Sequence, residues 1–381
     1  MPTTLMHADS VRDPDMFAAT GVVIVDPFAY LEIDGRRILL TSTIEADAAR
    51  RTSRATEVLV TDEFGMRELV RGGMDWEQAE AEVVGRLLER EGVDAVKVPA
   101  RFPLRTADAL RARGIRVDVD AELFRARRRT KDETAMRGIR AAQAGANAAY
   151  RRLRELLGAS SPGPGGLLLD GEVLTCERLR AEVMDTLRAY GCGGEQPIVA
   201  SGRQNADVHV IGFGPVHPGE PIVADIFPLH LESRYYADMT RTFCFGPAPD
   251  WLTHMHSTVR EALKRSTELM EPGVAGRTVY DAACDVIEAA GYRTERTARP
   301  GEALDEDFFH GLGHGVGVEV HELPHMGMSS PHVLQERDVV TNEPGVYRKA
   351  TGGVRLEDLL LITADGHEVL SDFDYELEVS P

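Results

Sequence analysis

Four acidic side chains in the second half of the sequence interrupt otherwise apolar runs. Asp225 ends the run Pro-Ile-Val-Ala, and Asp238 follows Tyr-Tyr-Ala. Glu343 precedes a proline and is therefore restricted to an extended backbone. Strand periodicity places Arg355 and Glu357 on one face of an apolar segment. A lone carboxylate is usually a solvent-facing residue, but four that converge repel one another, so a shared site needs metal.

A glycine-rich segment carries the histidines that could complete such a site. His314 stands in Gly-Leu-Gly-His-Gly-Val-Gly, and glycine at this density allows the backbone to approach a ligand or metal closely. His310 precedes it by four residues and His321 follows by seven. A single histidine is usually an ordinary core or surface residue. Three in one short glycine-rich segment favour a functional site.

The segment His321-Glu-Leu-Pro-His325 matches the H-E-x-x-H pattern of helical zinc proteases. That chemistry needs an uninterrupted helix to bring both histidines to one face. Pro324 would disrupt such a helix, and the preceding segment is rich in β-formers and glycine. The pattern therefore predicts no zinc-protease helix here.

The first third of the chain alternates between β-rich and helical runs. We predict a helix over Asp75–Glu91, and strands at Gly21–Asp26, Arg37–Leu40, Glu57–Thr61, Ala95–Val98 and Ile115–Val119. This alternation is typical of an α/β domain, which we place at residues 1–127. The arginine-rich stretch Arg125–Arg129 is interpreted as a solvated linker.

Residues 128–381 predict an α+β domain with helices beside an antiparallel sheet. The predicted helices are Lys131–Leu157, Thr175–Ala189, about Thr253–Met270 and Thr278–Ala290, with strands between and after them. A long helix, a Pro/Gly break, a second helix and β-hairpins occur from Lys131 and again from Trp251. This order suggests an internal duplication.

Composition limits the possible partners. The 381 residues carry 43 basic and 62 acidic side chains, for a formal net charge of −19. Such an acidic chain is poorly suited to nucleic acid or to anionic membranes. There is no apolar run long enough to span a bilayer and no signal-peptide pattern at the start. Four scattered cysteines predict reduced thiols, so we expect a cytoplasmic protein.

Taken together, these segments resemble the pita-bread metallopeptidases, the superfamily of prolidase, aminopeptidase P, creatinase and methionine aminopeptidase, and most closely its Xaa-Pro peptidases. The resemblance rests on Ser201–His209, Asp225 with Asp238-Met-Thr-Arg-Thr, His310–Gly317, Asn342-Glu-Pro-Gly and Arg355-Leu-Glu-Asp. It covers residues 128–381, whereas residues 1–127 resemble the family's N-terminal domain only in size and alternation. The implied fold is an α/β N-terminal domain followed by an α+β pita-bread catalytic domain with a curved antiparallel sheet.

The resemblance implies a dinuclear metal centre and a peptidase. Its ligands would be Asp225, Asp238, His314, Glu343 and Glu357, with Asp238 and Glu357 bridging both ions. Mn²⁺ suits these ligands, with Zn²⁺, Co²⁺ or Fe²⁺ possible, and a bridging hydroxide would attack the Xaa-Pro bond. His310, His321 and Glu343 would be catalytic, and His209 and Arg355 would line the pocket for a small peptide with proline second. A homodimer is expected.

Two alternatives remain open at this stage. A pita-bread hydrolase or lyase can act on a small non-peptide compound, such as an ectoine derivative or creatine, and a non-catalytic binding protein can share the scaffold. The chain also departs from the family in one respect, because Asp225 and Asp238 lie thirteen residues apart, about two more than usual. The expected explanation is a longer hairpin tip around Leu231–Arg234, which costs little entropy. The other explanation is an altered metal site.

Overall fold

The computed structural model describes residues 2–381, which divide into two compact units. One ends at Arg128 and the other comprises Arg129–Pro381. The boundary predicted from sequence falls after residue 127, next to this division. In the described part of the chain, no helix is both long and apolar enough to cross a lipid bilayer.

The first unit contains one mixed β-sheet with surrounding helices. Its strands are β1 (Thr4–Ala8), β2 (Phe28–Ile33), β3 (Arg36–Thr41), β4 (Glu57–Val60), β5 (Ala95–Val98) and β6 (Arg116–Val119). Its helices are α1 (Pro14–Thr20), α2 (Ala46–Thr52), α3 (Met66–Arg71), α4 (Trp76–Arg90), α5 (Leu104–Ala112) and α6 (Ala121–Arg129), and a 3₁₀ turn lies at Thr61–Phe64. The six strands are ordered β4-β3-β2-β1-β5-β6. β1, β2 and β3 pair antiparallel, and the other pairs are parallel.

One strand prediction for this unit was wrong, and two strands were missed. Gly21–Asp26 forms no strand: Gly21 ends α1 with a left-handed backbone, and Val23 and Val25 are exposed. β-Branched residues form a strand only where a neighbouring strand pairs with them, and none does here. β1 and β2 were not predicted, since β1 holds the polar residues Thr4 and His7 in the middle of the sheet. The predicted α4 is confirmed, with the Asp75 carboxylate accepting the Gln78 N–H at 2.9 Å.

The second unit contains four helices and several antiparallel sheets. The helices are α7 (Glu133–Gly158), α8 (Cys176–Ala189), α9 (Asp250–Thr267) and α10 (Gly276–Ala289). The strands are β7 (Ser161–Gly163), β8 (Gly166–Leu169), β9 (Glu172–Val173), β10 (Cys192–Gly193), β11 (Ile198–Ser201), β12 (Pro221–Asp225), β13 (Leu229–His230), β14 (Tyr235–Tyr236), β15 (Thr240–Phe245), β16 (Gly313–Gly315), β17 (Glu322–Met326), β18 (Val339–Asn342), β19 (Gly345–Arg348), β20 (Gly352–Arg355), β21 (Asp358–Thr363), β22 (Gly366–Val369) and β23 (Glu378–Val379). Short 3₁₀ turns lie at Gly202–Ala206 and Glu295–Thr297. All four predicted helices are confirmed to within a few residues.

The helices pack as two pairs, each over its own sheet. Residues of α7 and α8 share a core with β11, β12 and β15, including Tyr150, Leu179 and Phe243. Residues of α9 and α10 share a second core with β18, β20 and β21, including Val259 and Tyr280. This repeated arrangement follows the order of elements from which a duplication was suggested.

The arginine-rich stretch is not a linker. Arg125–Arg129 forms the end of α6, and Arg129 is buried with its guanidinium on the Asp338 carboxylate at 2.7 and 2.6 Å. Arg125 and Arg127 are exposed, as predicted. Arginine is a good helix former, and a buried carboxylate compensates the charge of the last arginine. Composition alone could not show that partner, which is distant in sequence.

Strand pairing brings the acidic residues together. β12 pairs with β15 so that Asp225 lies opposite Thr240. In the sheet ordered β17-β16-β18-β21-β22, Asn342 lies opposite Asp358. Glu343 follows Asn342 and Glu357 precedes Asp358, so both leave their strands at the same point. The β19–β20 hairpin connects them and places Gly345 opposite Arg355.

Candidate metal centre

Three buried side chains, one in strand β16 and two in the short connections between strands, form the centre of the site. Ligand atoms of Asp238, His314 and Glu357 all lie within 4.8 Å of one another. Glu343 joins them, with its Oε1 at 3.4 Å from His314 Nε2, and Asp238 Oδ2 lies 3.8 Å from the same nitrogen. Three carboxylates and one imidazole thus share a space of a few ångströms.

Asp225 extends this cluster. Its Oδ2 accepts a hydrogen bond from Arg355 Nη2 at 2.6 Å. Its Oδ1 and the Oδ1 of Asp238 are buried and have no hydrogen-bond partner among the described residues. A buried carboxylate oxygen without a partner is costly, and a divalent cation is the ligand that satisfies several of them at once. The side chains therefore fit a metal centre.

The protonation states of the cluster support the same reading. Burial, followed by the charges of neighbouring carboxylates, raises the pKa of Asp238 and of Glu357 well above the usual carboxyl range. Burial alone would raise the pKa of Glu343 and lower that of His314. Their mutual hydrogen bond and opposite charges outweigh burial, so the pKa of Glu343 is lowered and that of His314 is raised. Without metal, protons on Asp238 and Glu357 offset part of the repulsion among the carboxylates.

Buried polar residues hold the acidic side chains in position. Thr240 Oγ1 donates to Glu357 Oε2 at 2.7 Å and accepts from Arg355 Nε at 3.3 Å. The buried Arg241 guanidinium donates to the Glu357 carbonyl at 2.6 Å and to Asp358 Oδ1 at 2.9 Å. The backbone around Glu357 is therefore fixed by groups that themselves have little freedom.

Tyr347 is a site residue that sequence reasoning missed. It is buried, and its hydroxyl accepts from Arg355 Nη1 at 3.0 Å and lies 3.1 Å from His310 Nε2. Burial raises its pKa to about 12, so it keeps its proton and can donate it to His310. The sequence feature that could have indicated Tyr347 is the pair Gly345 and Gly353, because a Cβ at either glycine would collide with the Tyr347 ring. Glycines that make room for an aromatic ring mark that ring as fixed.

Four further residues were predicted to belong to the site, namely His209, His310, His321 and Arg355. His310 is half-buried, and burial lowers its pKa. The His321 ring lies edge-on to the His314 ring with centroids 4.3 Å apart. His209 is exposed. Arg355 contacts Asp225 directly, as described above. The structure thus brings the five predicted ligands together with His310, His321 and Arg355.

The zinc-protease pattern forms no helix, as predicted. Glu322–Met326 is strand β17, and His325 lies opposite His314 in the β16–β17 ladder with its side chain exposed. His325 is absent from the group of buried ligand atoms. The two histidines of the pattern therefore have different surroundings.

The longer segment between Asp225 and Asp238 contains a small hairpin. β13 pairs with β14, and the loop Leu231–Arg234 closes it, with Arg234 N donating to the His230 carbonyl at 2.8 Å. Asp225 keeps its place opposite Thr240 at the end of an unbroken β12–β15 ladder. The hairpin tip thus lies where the sequence placed the added residues.

We expect a shortened tip to leave the metal centre intact. Replacing Leu231–Arg234 by Asn-Gly gives a two-residue turn suited to a hairpin, and loop length has little effect on closure entropy. Metal content should be unchanged, and any turnover should stay within a few-fold of that of the parent protein. Asp225→Asn serves as the matched control, because it alters the ligand and leaves the hairpin unchanged. A shortened variant that loses one ion would show that the hairpin holds Asp225 in place.

Comparisons with known proteins identify the family of the chain. Residues 137–364 match the sequence profile of metallopeptidase family M24. The chain is 30% identical over 286 residues to the probable dipeptidase PepE of Mycobacterium bovis, covering 74% of this chain and 68% of that protein. It is 34% identical over 190 residues to an Xaa-Pro dipeptidase of Pyrococcus furiosus, covering 49% of this chain and 51% of that protein. The chain thus spans about half the length of the Xaa-Pro dipeptidases that it matches.

Solved structures extend the likeness to both units. The prolidase of Pyrococcus horikoshii superposes with a TM-score of 0.77 at 25% identity, covering 99% of this chain and 95% of that chain. An X-Pro aminopeptidase of Thermotoga maritima gives a TM-score of 0.79 at 23% identity, covering 100% and 98%, and shows the fold alone. The chain belongs to metallopeptidase family M24, which confirms the resemblance and the pita-bread fold class predicted from sequence. Membership implies a divalent metal.

Proposed function

We propose that this chain is an Xaa-Pro metallopeptidase of the prolidase or aminopeptidase P type. The observation that carries the proposal is the buried group of Asp238, His314 and Glu357, whose ligand atoms lie within 4.8 Å of one another. The Xaa-Pro dipeptidase of Pyrococcus furiosus and the prolidase of Pyrococcus horikoshii support the substrate class.

The site would hold two divalent ions, Mn²⁺ in preference to Zn²⁺, Co²⁺ or Fe²⁺, because oxygen ligands outnumber the single imidazole. The ligands would be Asp225, Asp238, His314, Glu343 and Glu357. The bound ions would polarise the scissile carbonyl and supply a nucleophile from water near neutral pH. Two unpartnered carboxylate oxygens, on Asp225 and Asp238, support this number of ligands.

The remaining residues would handle protons and orientation. Glu343 would accept the proton of the attacking water and deliver it to the departing amine. His321 would donate a hydrogen bond to the oxygen on which negative charge develops. His310 would be catalytic beside it, with Nδ1 on the Gly311 carbonyl and Nε2 facing the Tyr347 hydroxyl. Tyr347 would keep His310 in place, since its hydroxyl lies 3.1 Å from Nε2.

Substrate contacts would come from exposed side chains. His209 is exposed and would contact the peptide. Arg355 donates to Asp225, Thr240 and Tyr347, which supports a role in orienting ligands over one in binding the substrate carboxyl. An Xaa-Pro bond has no N–H at the cleaved nitrogen, so a dedicated site is needed. We further propose a homodimer and a cytoplasmic location, supported for the latter by four buried free cysteines.

A hydrolysis panel tests the proposal. We expect Mn²⁺-loaded protein to cleave Xaa-Pro dipeptides or Xaa-Pro-Yaa peptides at least about a hundredfold faster than matched Xaa-Ala peptides, which corresponds to about 3 kcal/mol of discrimination. Methionyl peptides, and small amides including creatine and an acetylated ectoine derivative, complete the panel. Product analysis by chromatography separates dipeptidase from aminopeptidase activity. Turnover of a non-peptide amide without Xaa-Pro cleavage would contradict the proposal, and so would a lack of all turnover in metal-loaded protein.

A further inference from the structure

Two buried side chains of opposite charge lie beside the segment that carries His321. Lys131 and Glu322 each expose 2% of their side chains, and Lys131 Nζ donates to Glu322 Oε2 at 2.8 Å. Lys131 lies just before α7, and Glu322 directly follows His321 as the first residue of β17. A buried pair of this kind adds little to stability, because removing both charges from water offsets their attraction. The Lys131–Glu322 pair therefore matters more for where it holds the chain than for the free energy of unfolding.

The Glu322 carboxylate fills the turn before β17. Its Oε1 accepts the backbone N–H groups of Val318 at 3.0 Å and of Glu319 at 3.1 Å. A Cβ at Gly317 would collide with this carboxylate, so the turn is closed tightly around it. Buried N–H groups need acceptors, and here one carboxylate oxygen serves two of them. The other oxygen belongs to Lys131.

We propose that Lys131 and Glu322 are positioning residues that fix His321 against His314, an inference that rests on the proposed function. His321 is one residue from Glu322, and its ring lies 4.3 Å from the His314 ring, centroid to centroid. Without Lys131, the buried carboxylate is left without its cation and moves toward water, so the turn loosens. A catalytic side chain tolerates displacement of only roughly 0.5 Å.

This inference gives the glutamate of His-Glu-Leu-Pro-His a role unlike that in a zinc protease. Glu322 is the acceptor at the centre of a turn, and its carboxylate is occupied by protein groups on both oxygens. The pattern thus reflects the need to place His321.

The structure offers a matched control two residues away. Arg129 and Asp338 form a second buried ion pair, with Arg129 Nη2 at 2.6 Å from Asp338 Oδ2. Asp338 accepts the backbone N–H of Gln335, which lies outside the turn at residues 317–321. Arg129→Met therefore removes a comparable buried cation while leaving the acceptor of the His321 turn in place.

A double-mutant cycle with hydrogen exchange tests the proposal on the full-length, Mn²⁺-loaded protein. We expect Lys131→Met to lower kcat on an Xaa-Pro dipeptide about tenfold while KM and metal content stay within twofold. In a His321→Ala background, the same substitution should change kcat by less than twofold. Arg129→Met should have the same effect in both backgrounds. Amide exchange in the peptide spanning residues 316–322 should speed up at least about tenfold in Lys131→Met and remain unchanged in Arg129→Met.

The outcomes separate this inference from the proposed function. If the parent protein does not cleave Xaa-Pro peptides, the function fails, and the exchange measurement still tests whether Lys131 holds the turn. Equal kcat losses with and without His321, or unchanged exchange in residues 316–322, would overturn the inference. If Lys131→Met does not fold, Lys131→Gln retains a hydrogen-bond donor to Glu322 and should show the same pattern with a smaller effect.

Discussion

His314→Ala is expected to remove at least one divalent ion per chain and to lower kcat/KM on an Xaa-Pro dipeptide about a thousandfold. His314 Nε2 lies 3.4 Å from Glu343 and 3.8 Å from Asp238, so the imidazole is within the group that would hold the ion. Loss of one ion removes carbonyl polarisation worth several kcal/mol, and a thousandfold corresponds to about 4 kcal/mol of barrier. Elemental analysis after reconstitution and desalting, together with steady-state kinetics, measures both effects.

His325→Ala is the matched control for that substitution. The residue lies opposite His314 in the same ladder, has the same side chain and is exposed. It should retain its metal and most of its activity. Equal losses from the two substitutions would mean that the zinc-protease pattern supplies a ligand after all.

Short-range sequence features indicated several residues that the fold brings together in the candidate site. Asp225, Asp238 and Glu357 each interrupt a strand-like apolar run, and His314 stands among glycines; such features depend on neighbours in sequence. The helices were predictable for the same reason, since α7 combines a long apolar periodicity with an Asp132 cap whose carboxylate accepts the Ala135 N–H at 2.8 Å. At these positions, the residues that stand out from their neighbours in sequence are also the ones that make the tertiary contacts.

Features that depend on distant partners could not be predicted in this way. Tyr347 resembles any strand tyrosine until the strands beside it are paired. Arg129 and Lys131 have the residue types of surface charges, and both are buried because carboxylates about 190 to 210 residues later compensate them. The central strand β1 was missed because pairing on both sides buries its polar residues. In each case the determining interaction is long-range.

The free-energy difference between metal-loaded and metal-free protein is expected to grow as pH rises from about 5.5 to 8. In the metal-free protein, burial and neighbouring negative charge raise the pKa of Asp238 and Glu357, and Glu343 raises that of His314. A group with a raised pKa stabilises the folded protein below its ordinary pKa, and this stabilisation is lost as pH rises through the raised value. The pH range over which the metal-free protein loses this stabilisation therefore begins at the ordinary carboxyl pKa of about 4 and extends past the ordinary histidine pKa of about 6.5.

Metal binding has the opposite pH dependence, because it stabilises the folded protein more as pH rises. Ligands must lose their protons to bind a cation, so affinity increases with pH. An ion present at about a thousand times its Kd adds about 4.1 kcal/mol to the free energy of unfolding. Buried histidines away from the cluster, such as His7 and His256, have pKa values lowered to about 4. They affect both forms alike, so taking the difference removes their contribution.

Thermal unfolding of Mn²⁺-loaded and chelator-treated protein at a series of pH values measures the effect. The Tm difference between the two forms should be smallest near pH 5.5 and increase steadily to pH 8. Asp238→Asn should flatten this slope, because one of the raised carboxyl groups no longer titrates, whereas His325→Ala should leave it unchanged. A Tm difference that is constant with pH, or that shrinks as pH rises, would contradict the assignment of these buried carboxyl groups as metal ligands. Since each ion must displace protons from groups that burial has protonated, the slope reports directly on the cluster.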